Sequence, residues 1–390
     1  MRLDINGSPS EIGGIIDPTR IVANRVYYDP AIYAAEVEKI FGRCWQLVCH
    51  ESEVAQPGRY LTTRVADSPV VIVRGKDGKL RAFYNTCRHR GSRVVLDECG
   101  EAASLRCPYH FWVYSLEGEL IGVPGEEAYA GSGFRKEDFP LVELRCDAVL
   151  GLVFVNPDPA AIPLEEWLGE EIIRTLQTPL GGARYVVTKR RRRELAVNWK
   201  IWAENARDGY HVPFVHPFFR KASPPGEYTL CANGHAVQRV GMDPAGMSPE
   251  LWDAMQRERL PGLGPTDGYV MTLFPDGFLM VRSNFVSIDV QHRIDANHLV
   301  FEERLLGIEG ETPDVTERRS VGQAAFLWDP LNEEDFPIFA AQQEGVMSRG
   351  VTESIIARGV DATTGLRGDD NRLRHFWLQW RKMMEAEYNG

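Results

Sequence analysis

The chain has 390 residues, 44% of them hydrophobic and 25% charged, with a formal net charge of −11; a length of this order predicts two globular domains. The acidic balance excludes nucleic acid and an anionic membrane surface as the main partner. The longest apolar run, Ala148 to Val155, is far too short to cross a bilayer and is expected to form one buried strand. The cysteines at 44, 49, 87, 99, 107, 146 and 231 are odd in number and scattered, which does not read as a disulfide framework. The opening MRLDINGSPSEIGG lacks the basic start and apolar stretch of a secretory signal, so the cytosol is the expected compartment.

Residues 1 to about 40 are expected to be helical in part, most clearly in DPAIYAAEVEKIFGRCW. The β-prone KLRAFYNT then leads into TCRHRGSRV, where Cys87 and His89 are one residue apart. Groups at i and i+2 point the same way in extended backbone and to opposite sides of a helix, so this pair belongs on a loop or strand end. Gly91 supplies a turn just after it. A second lead ends in RCPYHFWVY, where Cys107 and His110 flank Pro108, and SLEGEL after it predicts a hairpin turn at Gly118. The pattern is C-x-H, seventeen residues, then C-x-x-H. Two thiolates and two imidazoles suit one tetrahedral zinc. They also suit a [2Fe–2S] cluster with both cysteines on one iron and both histidines on the other. Each loop would then touch both irons. Cys99 matches neither box and is read as a non-ligand.

NPDPAAIP is a proline-rich seam and marks a domain boundary. KRRRR, Lys189 to Arg193, is read as a solvated strand face, or more sharply as a docking patch for an acidic protein. In NWKIWAENARDGYHVPFVHP, the pattern predicts a helix from Asn198 that stops near His211, because Pro213 disfavours helix at Val212. Asp208 and His211 would share a helical face, and a turn at Pro213 would bring His216 back beside His211. Two neutral imidazoles and one carboxylate form the facial triad of non-haem Fe(II) oxygenases, which leaves positions open for O2. Two histidines and an aspartate also suit a zinc hydrolase. Further on, YVMTLFPDGFLMVRSNFVSIDVQHRI predicts a hairpin turning at Pro275-Asp276-Gly277, HLVFEERLLGI a strand, and NRLRHFWLQWRKMMEAE a closing helix. Met271, Leu273, Met280 and Phe285 are candidates to line a pocket, and Arg207 and Arg282 are read as solvated or as carboxylate binders. No strand–GxGxxG–helix unit is present, so nicotinamide and flavin are expected on a separate reductase.

CRHRG and CPYHFW, followed by ENxxDxYHxxxxH, resemble the Rieske non-haem iron oxygenases, specifically the α (terminal oxygenase) subunits of aromatic ring-hydroxylating enzymes. AENARDGYHV is most similar to the benzoate, terephthalate and salicylate group. The resemblance implies an α+β chain: an all-β Rieske domain near the start, then a helix-grip (START-like) antiparallel-sheet catalytic domain. The domains would be an N-terminal helical segment 1–40 packing on the catalytic domain, a Rieske domain 41–156 and a catalytic domain 157–390. It implies that Cys87, His89, Cys107 and His110 bind the [2Fe–2S] cluster, and that His211 and His216 bind mononuclear Fe(II). The family's third ligand lies eight residues before Q-x-G, which selects Asp335 from LNEEDFPIFAAQQEG, with Glu334 as the alternative. Asp208 would link cluster and iron histidines. Phe111 departs from the small residue usual in the second box. The implied activity is hydroxylation or dihydroxylation of an aromatic, carboxylated small molecule with O2. Electrons would come from NAD(P)H through a reductase and, in some systems, a ferredoxin, to a homotrimer or an α3β3 assembly with no membrane attachment. The rival readings are an O- or N-demethylating monooxygenase and an electron-transfer protein with a silent C-terminal domain.

Overall fold

The computed structural model describes residues 16–17, 20–217, 219, 226–324, 331–360 and 368–386. The opening stretch read for a targeting signal lies outside these residues, as does much of the N-terminal segment. The chain folds into two compact units, one made of residues 41–164 and the other of 1–40 with 165–390. Among the described residues, no helix is long and apolar enough to cross a membrane.

The smaller unit is built of β-structure. Its seven-stranded sheet runs, in spatial order, Gln46–His50, Leu152–Asn156, Glu143–Val149, Leu80–Tyr84, Ser68–Arg74, Arg59–Val65 and Cys99–Glu101. Alternating residues of these strands fill an apolar core around Val70, Ile72, Ala82 and Val153. The apolar run expected to be one strand is instead the end of a hairpin, because Leu150 and Gly151 both take positive φ, 53° and 83°. Two left-handed residues form the two-residue turn that matches strand twist. A second small sheet joins Leu105–Arg106, Val113–Tyr114 and Leu120–Gly122, turning at Gly118 as expected.

The larger unit has a seven-stranded antiparallel sheet: β1 Tyr185–Leu195, β2 Tyr228–Leu230, β3 Ala236–Arg239, β4 Gly268–Leu273, β5 Gly277–Arg282, β6 Phe285–Asp295 and β7 His298–Ile308. Its order is β1-β7-β6-β5-β4-β3-β2. β4 and β5 meet at the expected turn, with Leu273 opposite Gly277. One face packs on helices. Trp202 of α2 (Trp199–Asn205) meets Phe278 and Phe301 edge-on or tilted at 5.6 and 5.8 Å, and Phe301 meets Phe336 of α5 (Glu333–Val346) at 5.7 Å. The other helices used below are α1 (Pro30–Glu36), α3 (Val212–Val215), α4 (Pro313–Gln323) and α6 (Asn371–Glu385). The period of two puts Met280 and Phe285 on this inner face and Met271 and Leu273 on the opposite one, so two of the four pocket candidates stand on it.

Arg190 and Arg192 pair with Glu302, Arg191 with Glu303 and Arg193 with Glu333. The basic run is therefore a sheet-edge strand whose four arginines face carboxylates of β7 and α5. Arg207 and Arg282 are buried, not solvated. Arg207 donates to the Ala203 carbonyl at 2.6 Å and lies 4.7 Å over the Phe376 ring.

Candidate metal centres

In the smaller unit the two Cys/His loops share one backbone design. Cys87 N–H donates to the Ser92 carbonyl, and the Gly91 N–H donates back to the Cys87 carbonyl; Cys107 does the same with Trp112 and Phe111. The fourth residue after each cysteine takes a left-handed conformation, Gly91 at φ 74° and Phe111 at φ 59°. Such a closed loop turns the side chains of both its Cys and its His to one side. The result brings all four predicted residues together. The His89 and His110 rings lie 4.5 Å apart, Cys87 and Cys107 are buried, and His89 stacks on Trp112 at 4.9 Å. The His89 Nδ1 is buried without a hydrogen-bond partner. An unpaired buried ring nitrogen beside two buried thiols fits a metal cluster better than a satisfied core. Burial raises the Cys87 thiol, while the Tyr114 hydroxyl, 3.4 Å from its Sγ, acts in the opposite direction. Tyr114, which the sequence reading passed over, also accepts from the Arg88 N–H at 3.0 Å and so braces the first loop. Cys99 is exposed on a strand and takes no part.

The second centre lies in the larger unit. Asn198 caps α2 by accepting from the Lys200 N–H. The helix then ends at Asn205, short of the expected His211. The Asp208 carboxylate competes for the backbone by accepting from the N–H groups of Tyr210 (2.6 Å) and His211 (3.3 Å). Pro213 does not stop that helix; it starts α3, where a missing N–H costs nothing. His211 precedes α3 and His216 follows it, so one short helix holds the two rings 5.2 Å apart.

Asp335, in the first turn of α5, completes the group. Its Oδ1 lies 3.2 Å from His216 Nε2 and 3.8 Å from His211 Nε2. One ligand atom from each of the three residues falls within 4.8 Å of the others. The remaining ring nitrogens face outward to carboxylates: His211 Nδ1 to Asp208 at 3.1 Å and His216 Nδ1 to Glu334 at 2.7 Å. These contacts fix the tautomer that turns the Nε2 lone pair of each ring toward Asp335. Burial pushes the Asp208 carboxyl up, but the bonds from His211 and from the two N–H groups hold it below its ordinary value. Glu334, considered as a replacement ligand, thus sits behind His216. Asn205 Nδ2 also approaches His211 Nε2 at 3.4 Å. The donor set, two imidazoles and a carboxylate on one side, suits ferrous iron with open positions.

With this geometry in view, the relatives agree. Residues 44–140 match the Rieske [2Fe-2S] domain, and residues 183–386 match the ring hydroxylating alpha subunit catalytic domain. The chain is 34% identical over 383 residues to 2-aminobenzenesulfonate 2,3-dioxygenase subunit alpha of Alcaligenes sp., covering 95% of each. It is 29% identical to a terephthalate 1,2-dioxygenase terminal oxygenase alpha subunit of Comamonas sp., covering 93% of this chain and 95% of that one. Among solved structures, naphthalene 1,2-dioxygenase from Rhodococcus sp. superposes with a TM-score of 0.80 at 24% identity, covering 94% of this chain and 95% of that one, which supports the fold. A quaternary ammonium Rieske monooxygenase with L-carnitine superposes at 0.78 with 25% identity, covering 94% and 97%. The chain therefore belongs to the ring-hydroxylating alpha subunits, Rieske-type oxygenases that carry a [2Fe–2S] cluster and a mononuclear iron.

Proposed function

We propose that Cys87, His89, Cys107 and His110 hold the cluster, that His211, His216 and Asp335 hold the iron, and that the chain hydroxylates a small aromatic molecule. Electrons would reach it from NAD(P)H through a separate reductase, with or without a ferredoxin. The observation that carries the reading is the convergence of His211 Nε2, His216 Nε2 and Asp335 Oδ1. Iron bound there would supply O2 activation, and the cluster would deliver electrons one at a time. The chain's own part is to hold both imidazoles in one tautomer through Asp208 and Glu334, and to keep the carboxylate of Asp335 buried beside them. An aromatic substrate is supported by the names of the aminobenzenesulfonate and terephthalate relatives. The terephthalate name favours a carboxylate on that substrate. Two buried carboxyls on the inner sheet face oppose it, so ring hydroxylation alone is the function proposed.

The test is iron and acid-labile sulfide per chain in protein purified without oxygen, with an EPR spectrum after dithionite. About three irons and two sulfides with a low average g value are expected, from one Rieske cluster plus one mononuclear iron. Two irons and two sulfides that Fe(II) reconstitution does not raise would leave an electron carrier. Zinc in place of iron and sulfide would overturn the reading. Product analysis with a reductase then separates hydroxylation from O- or N-demethylation, which uses the same metals.

A further inference from the structure

The inner sheet face carries a polar cluster that the metal chemistry does not use. Asp289 on β6 stands directly opposite Glu303 on β7, and both are buried. The Ser287 Oγ lies 3.3 Å from Asp289 Oδ1 and 3.1 Å from Glu303 Oε1, and Gln323 of α4 donates to Glu303 Oε1 at 2.6 Å. One cross-strand row runs Thr272, Phe278, Asp289, Glu303, and its Phe278 packs on Trp202 of α2. The cluster thus stands on the face turned toward the helices that lead into Asp208 and Asp335.

The charges of this cluster do not balance. Two carboxyls and the Gln323 carbonyl offer five acceptor oxygens. The hydroxyl of Ser287 has one proton and cannot serve both acids at once. Glu303 has Arg191 at 3.6 Å, and Lys189 acts on it from the same edge strand, although its ammonium bonds Ser320. Asp289 has no cation among the described residues. Around it, the Gln323 Oε1, the Thr272 Oγ1 and both amide atoms of Gln291 are buried without partners. Gln291 and Thr272 are 4% and 1% exposed and share the face of Asp289. Burial and the neighbouring Glu303 push the Asp289 carboxyl well above its ordinary value. Buried polar atoms left unpaired are rare and costly, and two facing buried acids of which only Glu303 has a cation among the described residues are completed by a ligand that brings positive charge and N–H groups.

We propose that Asp289, with Ser287, Glu303 and Gln323, binds a protonated amine of the substrate. The inference builds on the oxygenase reading and names the polar substituent that this sheet face would select. A quaternary nitrogen would bring charge but no N–H donor, and a carboxylate would bring neither.

Calorimetric titration of the metal-loaded protein without oxygen tests this with matched probes: benzylamine against benzoate, cyclohexylmethylamine against cyclohexanecarboxylate, and propylamine against propionate. At least one amine is expected to bind tenfold or more tighter than its carboxylate partner. Asp289→Asn and Glu303→Gln are each expected to cut that preference at least tenfold. The idea is overturned if no amine binds, if every carboxylate binds as well as its amine, or if both variants keep the preference while changing only the melting temperature. The wild-type comparison needs no variant to fold. Iron, sulfide and EPR on the same samples report the oxygenase reading separately: full metal content with benzoate favoured sinks only the amine site, and amine binding without iron sinks only the oxygenase.

Discussion

Phe111 holds a left-handed backbone angle, φ 59°, at the loop position where its twin has Gly91 at 74°. A side chain with a Cβ is strained there, by roughly 1–2 kcal/mol, and with 54% of its surface exposed Phe111 recovers little by burial. Phe111→Gly is therefore expected to raise the stability of the smaller unit by about 1 kcal/mol, read as a higher melting temperature with an unchanged cluster spectrum; a lower one would show that the ring's contacts outweigh the strain. The sequence pointed to this residue as a departure but not to its angle, which only the second, matching loop reveals. The same holds at the iron. Spacing alone could not separate Asp335 from Glu334, since neighbours in the first turn of a helix differ by about 100° in direction. The geometry divides their roles. Asp335→Asn is expected to lose the mononuclear iron and keep the cluster. Glu334→Gln is expected to keep the iron with affinity weakened roughly 10–100-fold, the usual effect of losing a carboxylate behind a ligating histidine. Metal analysis after dialysis against a chelator distinguishes them, and the reverse pattern would exchange the two assignments.

At the level of elements, buried carboxyls tie the helices of the larger unit together. Glu36 of α1 takes the Lys200 ammonium and the indole N–H groups of Trp199 and Trp380, so three helices meet on one side chain. Glu204 of α2 accepts from the Tyr27 hydroxyl and the Trp377 indole on the same oxygen, Oε1. Burial lifts Glu204 to about 7, with those two donors acting against the rise. The folded state then keeps a proton that the unfolded chain releases from its ordinary value of 4.5 upward, so stability falls as pH rises from 4.5 to about 7. Glu204→Gln keeps an oxygen for both donors and removes the charge. It is expected to match the wild type near pH 4.5 and to exceed it at pH 8 by roughly 3 kcal/mol. Denaturant titrations at the two pH values check this, and parallel stability curves would sink it. Strands and the closing helix were legible because their apolar period survives into the fold: His298–Ile308 and Asn371–Glu385 lie where the pattern put them. The end of α2 was not, because side-chain competition at Asp208 outweighed the periodic signal and Pro213 opened a helix instead of closing one. The two left-handed residues inside an apolar run hid a hairpin for a similar reason, since hydropathy carries no record of φ.

On the scale of the whole molecule, the two centres lie in different compact units, and a one-electron cluster is useful only if its electron reaches the iron. Asp208, bonded to His211 Nδ1 at 3.1 Å, is the group expected to face the route. Asp208→Asn should leave about three irons and two sulfides bound while product formation per NAD(P)H collapses; full coupled activity would remove Asp208 from the path. The trimer that the resemblance implies leads to a further proposal, that the donor cluster and the accepting iron belong to different chains. It can be checked by crossing two defects. His110→Ala is expected to lose the cluster and keep the iron, and Asp335→Asn to lose the iron and keep the cluster. Neither variant alone should turn over. If electrons pass within one chain, co-expressing them restores nothing, because no chain holds both centres. If they pass between chains around a closed ring, each directed interface works when an iron-deficient chain feeds a cluster-deficient one. Random assembly of equal amounts makes that so at about one interface in four, so co-expressed protein should recover roughly a quarter of wild-type activity. Mixing the two proteins after separate purification should recover much less unless the subunits exchange. Activity of the co-expressed sample near zero, with both metals present by analysis, would place the whole electron path inside a single chain.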